Sequence, residues 1–223
     1  MTVEEAIERR LIQEILGNTY DVGSFLPPER KLAETLGYSR PAVHKALIRL
    51  ENKGLITIIP RQGVRVNDYR ITGKLDLLDT LYRMYKWEID EDMHRATFNF
   101  IKENLLLVLQ QIALKPIKDK KDKGFSEAED LFTWILNYAL ATDNFIYPLL
   151  FNEFNVGIVN VSKSLDQYEG KDYKELRDWV DQKVYEGNLE GVRTALDELF
   201  QFVETHWLER CKNEGQSSGK NFF

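Results

Sequence analysis

The chain has 223 residues, of which 43% are hydrophobic and 30% charged, a composition that supplies a core and excludes collagen-like or disordered character. Its single cysteine, Cys211, excludes a disulfide framework and fits a reducing cytoplasm. The opening MTVEEAIERRL is charged too early for a signal peptide, and no run of about 18 apolar residues offers a membrane span. The net charge of −6 is unevenly placed, since residues 28–67 hold 8 Lys/Arg against 3 Asp/Glu, or +5. Such a basic segment ahead of an acidic remainder suits a head that meets a polyanion and a body that meets something else, although chance fluctuation gives the same count.

In residues 3–16, Val3, Ile7, Leu11, Ile15 and Leu16 recur at helical spacing. A Gly/Asn/Ser/Pro-rich connection, GNTYDVGSFLPPE, follows. Pro27 and Pro28 prepare a short helix over 29–36 with Leu32, Ala33 and Leu36 inside, and Gly37 ends it. Ser39 is an N-cap for a second helix, RPAVHKALIRLEN, whose Val43, Ala46, Leu47 and Leu50 face inward, and Gly54 closes it. LITII and VRVN around PRQG then predict a β-hairpin.

Residues 68–74 have the composition of a linker, and beyond them every strong pattern is helical: 75–87, about 90–114, 126–141, about 144–165, 172–186 and 189–211. KPIKDKKDKGFS, YEGKD and GNLEG are the breaks between helices. The expected fold is mainly α, with three helices and a hairpin wing over 1–67, a linker over 68–74, a six- or seven-helix bundle over 75–211 and a flexible tail over 212–223.

Two short helices joined at Gly37, the second capped and basic at its start, have the shape of a helix-turn-helix. A helix that enters a groove about 12 Å wide needs small residues near its N-terminus, and Ser39, Pro41 and Ala42 are such residues. Arg40 and His44 are expected on the exposed face, with Lys45 and Arg49 available to phosphates. Arg61, Gln62 and Gly63 form the tip of the wing, where glycine keeps the turn tight. The plainer alternative is a small helical subdomain with a solvated basic face. No Gly-rich phosphate loop, metal cluster or Ser/Cys–His constellation is present, so no enzyme and no cofactor are expected.

LPPERKLAETLGYSR and KGLITIIPRQG together resemble the winged-helix domain of the GntR family of bacterial transcription regulators. The resemblance implies DNA contacts by Arg30 and Arg40, recognition-helix positions at Ser39, Pro41, Ala42 and His44, and a wing tip at Arg61, Gln62 and Gly63. His44 stands where arginine is common, which alters the expected base preference. The family implies a homodimer on a palindromic double-stranded operator, whose half-sites lie about one helical turn apart.

The helical remainder is similar to the FadR branch of that family, on the segments NDYRITGKLDLLDTLYRM, TDNFIYPLL and HWLER. Many members hold a metal through one Asp and three His, but here Ile135, Asp178 and Gln201 stand at the histidine positions, so no metal is expected. The member of the branch that these segments resemble lacks the metal and binds long-chain acyl-coenzyme A, which implies an acyl-CoA or fatty-acid effector in an apolar cavity. The resemblance places a ligand-contacting tryptophan at Trp207, and Phe202, Tyr138 and Phe100 are further candidates to line the site. For each of these, a place in a filled aromatic core is the competing assignment. A metal-free regulator that senses another metabolite, or none, is the alternative for the whole chain.

Overall fold

The computed structural model describes residues 1–85, 89–115, 130–165 and 172–215. Most of the Lys-rich break, the helix start expected at 126, the YEGKD break and the tail beyond 215 lie outside the described residues. The chain divides into two compact units, one from Met1 to Met84 and one beginning at Tyr85. The first therefore includes both the segment read as a linker and the helix after it.

Helix α1 (Val3–Leu16) starts at a capping box in which the Thr2 hydroxyl accepts from the Glu5 amide and the Glu5 carboxylate accepts from the Thr2 amide. It buries Ile7, Leu11, Ile12 and Ile15, while Val3 in its first turn stays half exposed. Helix α2 (Glu29–Leu36) ends at Gly37 with φ 74°, a left-handed conformation that glycine adopts without strain. Ser39 caps α3 (Arg40–Asn52), and Val43, Ala46, Leu47 and Leu50 of α3 are fully buried against α1 and α2. Their pattern at i, i+3, i+4 and i+7 is what fixes the three-helix core.

Strands β1 (Ile56–Ile59) and β2 (Gly63–Val66) pair antiparallel, with Ile56 opposite Val66 and Ile59 opposite Gly63. The connection before α2, read from sequence as irregular, also joins the ladder. Phe25 bridges to Arg65, the Leu26 amide donates to the Val64 carbonyl at 2.8 Å, and the Val66 amide donates to the Ser24 carbonyl at 2.8 Å. This short segment covers the outer edge of β2, which would otherwise expose unpaired backbone groups.

Within the expected linker, Asp68 caps a single turn, α4 (Tyr69–Thr72). The Thr72 hydroxyl donates to the Gly54 carbonyl at 2.7 Å, and the Lys74 amide donates to the Lys53 carbonyl at 3.2 Å. Gly54 has φ 80°, and a Cβ there would sit 1.9 Å from the Thr72 carbonyl oxygen, so only glycine permits this approach. Helix α5 (Leu75–Tyr85) then buries Leu77, Leu81 and Tyr82.

Six helices are described in the second unit: α6 (Glu91–Ala113), α7 (Leu131–Ala141), α8 (Ile146–Asn152), α9 (Asn155–Leu165), α10 (Asp172–Glu186) and α11 (Leu189–Gly215). Asp90 and Asp130 cap α6 and α7 by accepting from the Met93 and Thr133 amides. Helix α6 packs against α7, α10 and α11, and its Leu105, Val108 and Leu109 are completely buried. The helical pattern over 144–165 is broken in two by a turn in which the Phe154 amide donates to the Phe151 carbonyl at 3.0 Å. The turn lets Phe154 bury against Phe100, with ring centroids 5.6 Å apart.

Candidate nucleic-acid interface

Five of the residues expected to meet DNA form two adjacent exposed features of the first unit. The start of α3 presents Ser39, Arg40, Pro41 and His44 to solvent, and α2 presents Arg30. Glu29, at the start of α2, organises this face. One of its carboxylate oxygens accepts from His44 Nδ1 at 2.8 Å, and the other accepts from Arg40 Nε at 3.3 Å. Partial burial raises the Glu29 pKa, but the hydrogen bonds from His44 and Arg40 outweigh it, and the carboxyl stays below its ordinary value. Arg30 pairs loosely with Glu34 along α2 at 3.1 Å and is almost fully exposed. An exposed pair of this kind is weak and leaves the guanidinium ready to exchange its partner for a phosphate.

Two of the expected residues point elsewhere. Ala42 is turned inward beside Val43, where a small side chain lets α3 lie close to its neighbours. Arg49 reaches back to Glu8 of α1, with Nη1 at 3.5 Å from Oε2. Glu8 is almost completely buried and its other oxygen, Oε1, meets Lys53 Nζ at 2.9 Å as an ion pair rather than a directed hydrogen bond. Lys53 Nζ in turn lies 3.2 Å from Asp76 of α5. This buried charge cluster was invisible to apolar patterning, because Glu8 stands one residue from Ile7 and reads as part of a solvated face. The only sequence signal was a glutamate with apolar residues, Leu11 and Ile12, one turn ahead of it.

At the wing, Arg61 and Gln62 are exposed between the two strands. Arg61 has φ 65° and Gly63 φ 130°, so two residues of the tip hold positive φ and project its backbone outward. A Cβ on Gly63 would meet the Phe25 ring at 3.3 Å, so the thin tip also leaves room for the pairing segment beside β2.

The four residues expected to line a ligand site each meet a different partner in the second unit. Trp207 is buried and its indole donates to His94 Nδ1 at 3.2 Å, which leaves the His94 proton on Nε2, facing the Cys211 sulfur at 3.6 Å. Phe202 stacks on His206, with ring centroids 4.0 Å apart. Tyr138 is buried and donates to Asp181 Oδ1 at 2.8 Å, an oxygen that also accepts from the Trp134 indole at 2.8 Å. Burial pushes the Asp181 carboxyl up, against the hydrogen bonds from Tyr138 and Trp134 and the nearby Arg177. Phe202 is only partly buried, and Phe100 is exposed on the outer face of α6.

Between α6 and α11 lies an open groove of about 450 Å³, lined by Arg95, Lys102, Asp197 and Glu204 over Phe98 and Phe200. Its ion pairs, Arg95–Glu204 and Lys102–Asp197, leave it polar. Among the described residues, no group of three or more His, Cys, Asp or Glu side chains could hold a metal ion.

Residues 3–66 match the model of the bacterial regulatory proteins of the gntR family. The N-terminal unit carries a gntR-family helix-turn-helix domain. The fatty acid metabolism regulator proteins of Salmonella paratyphi B and Salmonella newport are each 26% identical to the chain over 156 residues, which cover 65% of it and 64% of the relatives. The chain thus spans less than two thirds of the length of these curated relatives. A solved structure, described as Lar, which controls the expression of the Listeria monocytogenes agr system and mediates virulence, superposes with a TM-score of 0.50 at 16% identity. It covers 94% of this chain and 98% of its own, and supports the fold. In this gntR-family head the three helices and the hairpin fall where the sequence placed them, and the Glu29 clamp is a further feature that sequence did not reveal.

Proposed function

We propose that the chain is a gntR-type transcription regulator that binds a palindromic operator as a homodimer, through Arg30, the start of α3 and the wing tip. The observation that carries this reading is the solvent-facing set Arg40, Pro41 and His44 at the N-terminus of a capped helix, beside a thin, basic wing. Short side chains there bring the helix backbone near base edges, and Arg40 supplies the bidentate donor suited to guanine. Arg61 extends the contact to phosphates or to the minor groove. The protein works in the cytoplasm on this reading, and its effector is a long-chain acyl-coenzyme A or the corresponding fatty acid held by the helical unit, a reading in keeping with the Salmonella relatives, which are named as regulators of fatty acid metabolism.

A second effector reading, a different small metabolite, is favoured by the burial of Trp207 and Tyr138 in separate hydrogen-bonded clusters and by the polar groove between α6 and α11. Selection of bound sequences from a random duplex pool tests the DNA reading, and recovery of a two-fold motif is the expected result. An unenriched pool at low salt would reject it. Calorimetric titration with palmitoyl-coenzyme A and palmitate then separates the effector readings: heat from the acyl-CoA supports the first, and silence from both supports the second.

A further inference from the structure

Glu29 does more to the start of α3 than hold it in place. Arg40 and His44 stand four residues apart on α3 and share a face, and Glu29 reaches both from the start of α2. Partial burial disfavours a charge on Glu29, but the hydrogen bonds from His44 and Arg40 outweigh it, so the group is a carboxylate at neutral pH. A carboxylate only accepts. The His44 nitrogen that meets it, 2.8 Å from Oε1, is Nδ1. Nδ1 therefore carries the proton, and a neutral ring then has its lone pair on Nε2.

Nε2 has no protein partner among the described residues, and the His44 side chain is half exposed. Arg40 is held to the same carboxylate through Nε at 3.3 Å, which leaves its two terminal nitrogens to donate. The α3 face thus offers a donor fork and, one turn on, a bare acceptor. In the major groove an acceptor fits only the exocyclic amines, N6 of adenine and N4 of cytosine, because guanine N7 and O6 and thymine O4 accept. An arginine in place of His44 would offer donors alone.

We propose that His44 reads a base amine, adenine N6 or cytosine N4, through Nε2, and that Glu29 is the positioning residue that fixes the tautomer needed to do so. The proposal rests on the operator reading above and adds to it the class of base edge that His44 takes. Glu29 touches no base on this account. It acts through the ring: an imidazole free in water prefers its proton on Nε2, so without the carboxylate His44 would present a donor to the groove and favour the opposite edge.

Nitrogen NMR of the histidine side chains in the full-length chain, at a pH of about 8 and so above the imidazole range, reads the tautomer without DNA. His44 is one of three histidines and is assigned by its loss in His44→Ala. The proton is expected on Nδ1 in the wild type and mainly on Nε2 in Glu29→Ala. The second arm uses the duplex recovered by selection, with the amine of each adenine or cytosine replaced by hydrogen in turn. One such replacement per half-site is expected to weaken wild-type binding by about 3- to 10-fold and to leave His44→Ala indifferent. Purines with carbon in place of N7, which lack that acceptor, are expected to show no coupling to His44. A wild-type ring protonated on Nε2 alone or on both nitrogens overturns the proposal. So does amine sensitivity that survives His44→Ala, or coupling of His44 to N7 in place of an amine. Should Glu29→Ala lose structure, the wild-type spectrum and the His44→Ala couplings decide. Any of these results on an enriched duplex leaves the operator reading standing, whereas an unenriched pool removes that reading and the base contact with it.

Discussion

Lys53→Met is the most informative single perturbation of the head. The Lys53 ammonium is buried between the carboxylates of Glu8 at 2.9 Å and Asp76 at 3.2 Å, and the Glu8 side chain is only 2% exposed. Removing the ammonium strands a buried carboxylate, a change that costs ~3–5 kcal/mol. Arg49 remains 3.5 Å from the second Glu8 oxygen, and Asp76 is half solvated, so a value near the lower end, about 3 kcal/mol, is expected. For a unit of this size that lowers the melting temperature by roughly 12–24 °C. The double variant Glu8→Met/Lys53→Met removes both charges, and is expected within about 1 kcal/mol of the parent. Residues 1–84 contain no tryptophan, so indole fluorescence follows the helical unit alone. Hydrogen exchange at the α3 amides reads the head separately. A single variant that costs under about 1 kcal/mol, or a double variant whose cost is the sum of the singles, refutes the claim that these charges form one interdependent cluster.

Three further outcomes follow from the geometry. Gly54→Ala forces an alanine to φ 80° with its Cβ on the Thr72 carbonyl, and should cost at least ~2 kcal/mol in urea unfolding of the head. Gly37→Ala, at φ 74° with open space around it, should cost only about 1–2 kcal/mol; equal losses would remove the role given to the Thr72 contact. Arg40→Ala should weaken binding to a selected duplex by about 1–3 kcal/mol in fluorescence anisotropy and relax preference at one base position, and an unchanged affinity would count against the α3 face. Asp181 has a raised pKa, so between its unfolded value and its folded one the native state holds the additional proton, and stability falls as pH rises through that window. Asp181→Asn, which keeps an acceptor for Trp134 and Tyr138, should flatten this slope in denaturant titrations from pH 4 upward, while an unaltered slope would assign it to other groups.

The head was legible because its signals are local. Gly37, Ser39 and the Pro27–Pro28 pair each dictate a backbone event within a few residues, and the spacing of Val43, Ala46, Leu47 and Leu50 fixes the buried side of α3. The strand-like pairing of Ser24–Leu26 escaped notice because its hydrogen bonds go to residues 64–66, a relation between distant positions that turn composition hides. The Glu29 clamp escaped for the same reason, since its partners lie 11 and 15 residues away. In the helical unit, aromatic content announced a core but not its divisions. Trp207 and Tyr138 are drawn to His94 and Asp181, more than 40 residues from each, and no periodicity encodes such pairings.

The attachment of α4 to the end of α3 bears on how stiff the first unit is. Because Thr72 and Lys74 are hydrogen-bonded to Gly54 and Lys53, and Asp76 is paired with Lys53, no slack lies between α3 and α5. A tether of loose residues would absorb a push or a twist applied to α5. The first turn of α5 is thereby clamped to the C-terminal end of α3, so the two helices are joined as one stiff piece within the first unit.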